Sequence, residues 1–163
     1  MIRNYLYLIV FVLLIHGCAS FGPSAPVEPQ APPPARAERS EALLQALLAL
    51  GVDYRNGGKS PATGFDCSGL VAYVYREAWG VRLPPNAAAQ SRAGMPVSLA
   101  ELQAGDLVFY NTQKQPFSHV GIYLGDGRFV HAPKTGAQVR IESLQSAYWA
   151  QRYDGARRIE PPN

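Results

Sequence analysis

Between Ala19 and Arg39 the chain runs through Pro23, Pro26, Pro29 and the triplet Pro32-Pro33-Pro34. Each proline removes a backbone donor and fixes φ, so a segment this rich in proline is expected to stay extended and unpacked. As polyproline II it reaches about 65 Å, at roughly 3.1 Å per residue, which is the geometry of a tether. Everything that folds must therefore lie after it. Residues 40–163 make one domain of ordinary size, with its ordered part expected to end near Ile159.

Within that domain the hydrophobic periods change once. Ser40 reads as an N-cap, and Leu43, Leu44, Leu47, Leu48 and Leu50 form a helical apolar stripe that stops at Gly51. A loop with Gly57-Gly58, Pro61 and Gly64 leads to a second helix, Cys67 to Ala78, with Leu70, Val71, Val74 and Tyr75 on one face. A short helix is expected near 86–92. After Gly105 the pattern becomes that of strands, at 106–111, 119–124, 128–132, 138–141 and 152–159. Helices first and an antiparallel sheet second predict an α+β domain.

Hydrophobic residues make up 47% and charged residues 17%, the balance of a folded domain. The net charge is only +3, and Arg157-Arg158 is the only adjacent basic pair, so the chain carries no nucleic-acid footprint. The N-terminus points elsewhere. Arg3 precedes an apolar run from Tyr5 to Ile15, too short to span a bilayer but suited to a signal peptide, residues 1–17. Gly17-Cys18 resembles the lipobox of bacterial lipoproteins, although His16 stands where that motif carries a small or apolar residue. The resemblance implies cleavage before Cys18, a lipid on Cys18 and a membrane anchor. Ala19 after the cysteine, rather than an aspartate, implies the outer membrane. Residues 18–39 are then the lipidated cysteine and tether.

Cys67 lies in Gly64-Phe65-Asp66-Cys67-Ser68-Gly69-Leu70. Asp66 is a natural N-cap, which places Cys67 in the first helical turn. The partial positive charge there favours thiolate, and the unpaired N–H groups can stabilise an oxyanion. Apart from His16, the only histidines are His119 and His131, in one expected hairpin. A three-residue turn, Gly125-Asp126-Gly127, pairs Leu124 with Arg128, Tyr123 with Phe129 and Gly121 with His131. His119 and His131 then share a face as diagonal neighbours about 7–8 Å apart at the backbone. Nucleophile, base and orienting group are the three parts of activated-cysteine catalysis. Other readings of the same residues stay open: a buried structural cysteine, a Cys18–Cys67 disulfide, or three zinc ligands, though no close metal-type spacing occurs.

Tyr54-Arg55-Asn56-Gly57-Gly58, the Cys67 block, Gly105-Asp106-Leu107-Val108-Phe109, His119-Val120-Gly121-Ile122-Tyr123-Leu124-Gly125 and His131-Ala132, in that order, resemble the NlpC/P60 family of cell-wall peptidases. The resemblance covers essentially the whole domain. It implies a papain-like α+β fold, with the cysteine helix packed on an antiparallel sheet. It implies hydrolysis of amide bonds in peptidoglycan stem peptides through a thioester, without a cofactor or metal. Cys67 matches the nucleophile, His119 the base and His131 the third polar residue. Tyr54 matches a tyrosine that binds substrate or stabilises the oxyanion, and Asp66 and Ser68 match positions that contact the stem in some members. A lipoprotein signal followed by one such domain places the chain in the cell envelope, facing the periplasm, with peptidoglycan as partner and a regulatory adaptor or protease left open. One stretch departs: relatives carry an arginine and a hydroxyl pair where this chain reads Leu83-Pro84-Pro85-Asn86-Ala87-Ala88-Ala89-Gln90. Two other classes remain, a non-catalytic wall-binding lipoprotein and an amidase or acyltransferase using the same cysteine and histidine.

Overall fold

A computed structural model of the chain describes residues 34–162. The signal segment, Cys18 and the tether up to residue 33 lie outside the described residues. No described helix is long and apolar enough to cross a membrane.

The first helix, α1 (Pro34–Leu48), starts at a proline, which is tolerated where the first N–H has no intrahelical acceptor. Residues 34–39, expected to be extended tether, are thus helical, and Ser40 lies inside the helix and does not cap it. The leucine stripe is also not the buried one. Ala42, Ala46 and Ala49 are buried, while Leu44, Leu47, Leu48 and Leu50 are exposed. Alanines at four- and three-residue spacing present a smooth ridge that lets α1 lie close along α2 (Cys67–Trp79), where leucines would hold the helices apart. The indole N–H of Trp79 donates to the Glu38 carbonyl (2.8 Å) and fixes the pairing.

Helix α2 is the central element, and both its ends are capped. Asp66, extended at φ −89° and ψ 176°, accepts from the Gly69 N–H, and Gly80 takes the left-handed conformation (φ 66°) at the other end. Its buried face is Leu70, Val71, Val74, Tyr75 and Trp79, one residue beyond the expected end. The loop before it holds a two-residue ribbon, β1 (Lys59–Ser60) with β2 (Gly64–Phe65). Backbone meets backbone there: a Cβ on Gly69 would lie 2.0 Å from the Gly58 oxygen, so only glycine fits. A short helix α3 (Ala87–Gln90), capped by Asn86, follows.

Six antiparallel strands form the sheet: β3 (Met95–Val97), β4 (Leu107–Tyr110), β5 (His119–Gly125), β6 (Arg128–His131), β7 (Arg140–Ser143) and β8 (Tyr153–Arg158), in the order β3-β8-β4-β5-β6-β7. The domain is therefore α+β, as expected. Alternation sorts the two faces. Leu107, Phe109, Val120, Ile122 and Val130 pack against the helices. Val108, Tyr110, Phe129 and Ala156 pack on the opposite face with Trp149, which comes from a four-residue helix α4 (Ala147–Ala150). Strand β3 and helix α4 are elements the sequence patterns did not reveal. Strand β7 starts at Arg140, because Gln138 pairs instead with Asp53 in an isolated bridge.

The β5–β6 hairpin differs in detail from its expected form. Gly125, not Leu124, pairs with Arg128, and Tyr123 still pairs with Phe129. The turn proper is Asp126-Gly127, both at positive φ (51° and 68°), a mirror-image two-residue turn. The residue removed from the turn returns as a bulge in β5, so the face alternation upstream is unchanged.

The fold is closed by charge. Asp106, wholly buried, accepts from Arg158 Nε (2.8 Å) and Nη2 (2.7 Å), and from the Gln103 N–H (2.8 Å). Arg39 on α1 lies 3.7 Å from Asp106 and 3.2 Å from Glu160 beyond β8. The Tyr75 hydroxyl donates to the neighbouring Gly105 carbonyl.

Candidate active site

Cys67 is the first residue of α2 and a free, partly buried thiol. Backbone groups of Val120, Ser68 and Cys67 itself hydrogen-bond the sulfur, so the thiol rests against the start of β5, one residue from His119. These bonds lower its pKa, as expected at a helix start, but burial outweighs them. With the Asp66 charge adding to it, burial pushes the thiol up to about 11. Burial therefore favours the neutral thiol at Cys67 over the thiolate that the helix position alone predicts.

Asp66 and Ser68 are used up in holding this helix start. Asp66 Oδ1 accepts from the Gly69 N–H (2.7 Å) and the Ser68 hydroxyl (2.9 Å), and Oδ2 accepts from the Gly57 N–H (2.8 Å). Ser68 also reaches the Pro85 carbonyl (3.2 Å) and is buried. Behind it, Gln90 donates to the carbonyls of Ser68 (3.0 Å) and Pro84 (2.9 Å). The divergent stretch from Leu83 to Gln90 is thus a strap that locks the second residue of α2. Asn86, in place of the hydroxyl pair, caps its short helix through the Ala89 N–H (2.9 Å).

The histidine pairing is as the strand register requires. His119 Nε2 and His131 Nδ1 are 2.7 Å apart, and Gly121 leaves room for the His131 ring: a Cβ there would lie 2.6 Å from the Phe129 ring and 3.3 Å from His131 Cβ. The walls around the pair are aromatic. Trp149 stacks on His119 (centroids 5.5 Å, planes at 25°) and meets His131 edge-on at 4.9 Å. Tyr110, the cross-strand partner of His119, closes another side at 6.4 Å. His119 is 4% exposed, and this desolvation holds its pKa down to about 4. Burial likewise depresses His131, and the neighbouring His119 and Arg140 add to the effect. His131 Nε2 is buried without a hydrogen-bond partner among the described residues.

Tyr54 stands on the loop side of the thiol. Its backbone N–H bonds the Ala137 carbonyl (2.8 Å), and its phenol pKa is raised by burial first, then by Cys67 and Asp66, which puts the hydroxyl in the electrostatic reach of both. Cys67, His119, His131, Tyr54, Asp66 and Ser68 therefore belong to one region. Trp149 is the member that sequence patterns missed. Four residues of helix show no period, and only the adjacent aromatics Tyr148-Trp149 near a chain end hinted at a buried plate. No group of three or more metal-binding side chains exists among the described residues.

Residues 51–158 match the NlpC/P60 family. The chain is 44% identical over 124 residues to murein DD-endopeptidase MepH of Escherichia coli (strain K12), covering 74% of this chain and 46% of that protein. It is 41% identical over 119 residues to gamma-DL-glutamyl hydrolase of Bacillus subtilis (strain 168), covering 72% and 29% respectively. The crystal structure of an NlpC/P60 family protein from Bacillus cereus ATCC 10987 superposes with a TM-score of 0.71 at 34% identity, over 76% of this chain and 40% of that one. The chain thus spans less than half the length of these relatives.

Proposed function

Because the chain belongs to the NlpC/P60 family, we propose that it is a cysteine peptidase of the cell envelope that hydrolyses amide bonds in peptidoglycan stem peptides. The observation that carries this reading is the 2.7 Å contact between His119 Nε2 and His131 Nδ1. It ties up one nitrogen of His119 and leaves Nδ1 for the thiol.

In this mechanism His119 carries its proton on Nε2 and donates it to His131 Nδ1. His119 Nδ1 takes the Cys67 proton as the sulfur attacks the scissile carbonyl. The oxyanion faces the N–H groups at the start of α2 and the Tyr54 hydroxyl. Collapse breaks the C–N bond, the amine leaves with the proton from His119, and a thioester remains on Cys67. Water, deprotonated by His119, then releases the acid and restores the thiol. His131 is a positioning residue, as are Asp66 and Ser68, which fix the helix start. Cys18 is the proposed lipidation site, anchoring the domain to the outer membrane through the tether. The word murein in the name of the first relative supports the substrate class; the two names specify different bonds, a DD-endopeptidase and a gamma-DL-glutamyl hydrolase, and leave the bond to experiment.

The test is digestion of purified peptidoglycan by the wild-type protein and by Cys67→Ala, with soluble products identified by mass. New stem fragments from wild type alone are expected. Fragments from neither protein, or equally from both, would sink the proposal.

A pH profile follows from the neutral pair. A base held near 4 is unprotonated through the whole mildly acidic range, and a thiol held near 11 stays protonated until far above neutrality. The acid limb of kcat/KM should therefore fall between about pH 4 and 5, well below the usual histidine value of about 6.5. Activity should lie on a plateau through neutral pH. An acid limb centred at 6.5 would mean that His119 is solvated in the free enzyme.

A further inference from the structure

Two hollows are each linked to the catalytic pair through one residue that lines them, Tyr54 in the first and Trp149 in the second. One, of about 860 Å³, includes Tyr54, Arg55, Thr63 and Gln138 in its lining. The other, of about 460 Å³, is lined by Thr112 and Gln113 from the β4–β5 loop, Lys134 from the β6–β7 loop, Arg140 on β7, and Tyr148 with Trp149. The first lies on the nucleophile's side, because Tyr54 senses the charges of Cys67 and Asp66. The second lies on the base's side, because the indole that forms its wall is the plate stacked on His119.

The chemistry of amide cleavage distinguishes them. The acyl half of the substrate stays on the Cys67 sulfur, while the amine half departs carrying the proton delivered by His119. The leaving residue must therefore sit on the base's flank, and the hollow linked to that flank is the Trp149 groove. The charge of that groove narrows what it takes. The Arg140 guanidinium is compensated by Glu142 at 2.8 Å. Lys134 forms no ion pair among the described residues. The groove thus offers one uncompensated cation beside an apolar plate, which suits a carboxylate carried on a compact aliphatic residue and disfavours an amide or a second cation.

Resting on the peptidase reading, we propose that the Trp149 groove is the leaving-side subsite and that Lys134 pairs with a free carboxylate on the residue whose amine is released. Lys134 is exposed, so the preference is modest, and its substitution does not disturb the core.

The test uses the peptide spanning the bond that the peptidoglycan products identify, made with the leaving residue's carboxyl either free or as the carboxamide. A third substrate carries the same acyl half on 4-nitroaniline, a neutral leaving amine without that carboxyl. Wild type should favour the free acid by about 3- to 5-fold in kcat/KM. Lys134→Ala should level the two, Lys134→Glu should reverse the order, and all three proteins should cleave the anilide at the same rate. The preference should also shrink in high salt. Equal rates on acid and amide by wild type, or an undiminished preference in Lys134→Glu, would overturn the assignment while leaving the peptidase intact. No turnover of any substrate by wild type would overturn the peptidase reading and this inference with it.

Discussion

His119→Phe is expected to lower kcat/KM by about 10⁴-fold or more, the scale on which members of a nucleophile–base unit fail. Phenylalanine fills the same aromatic box between Trp149, Tyr110 and His131, so lost folding is not the expected cause. The thiol explains the size of the effect. Held near 11, Cys67 is almost wholly protonated at neutral pH and cannot attack without a base. The same variant should therefore also slow alkylation of Cys67 by iodoacetamide. Activity within tenfold of wild type would mean that another group takes the thiol proton, and the assignment of His119 would fall.

The second large effect is on stability. Asp106→Ala should destabilise the fold by about 3–5 kcal/mol, the cost of removing one partner from a buried ion pair. Arg158, held by two bonds of 2.7 and 2.8 Å, would lose both, and the Gln103 N–H would lose its acceptor. The melting temperature should fall by roughly 10–20 °C, read by circular dichroism. Double substitution of Asp106 and Arg158 by apolar residues should recover part of the loss, since the penalty is that of an orphaned charge. A drop of under 1 kcal/mol in the single variant would show that water reaches the site.

How far the sequence carried depended on which physical rule governed each part. The histidine pair was legible because strand side chains alternate strictly. Even the misjudged turn did no harm, since the bulge at Tyr123–Gly125 restored the register that the shorter turn removed. The cap of Asp66 was legible because it is local. The thiol's protonation was not, because burial by distant elements outweighs the helix end that the sequence displays. Helix α1 misled in a different way. Leucine is the stronger hydrophobe, but the close approach to α2 selects alanine, and hydrophobicity alone cannot see that choice. Trp149 escaped because its position is set by the sheet it covers and not by the four residues around it.

The Arg39–Glu160 contact has a wider consequence. It ties the first helix to the residue just beyond the last strand, with the charged tips of the two side chains 3.2 Å apart. A unit whose first helix and last strand are tied to each other can be spliced into a longer polypeptide, at a terminus or between other segments, with little stretching inside it. Fusion partners should be tolerated at either end for the same reason. That portability accords with relatives more than twice the length of the region they share with this chain.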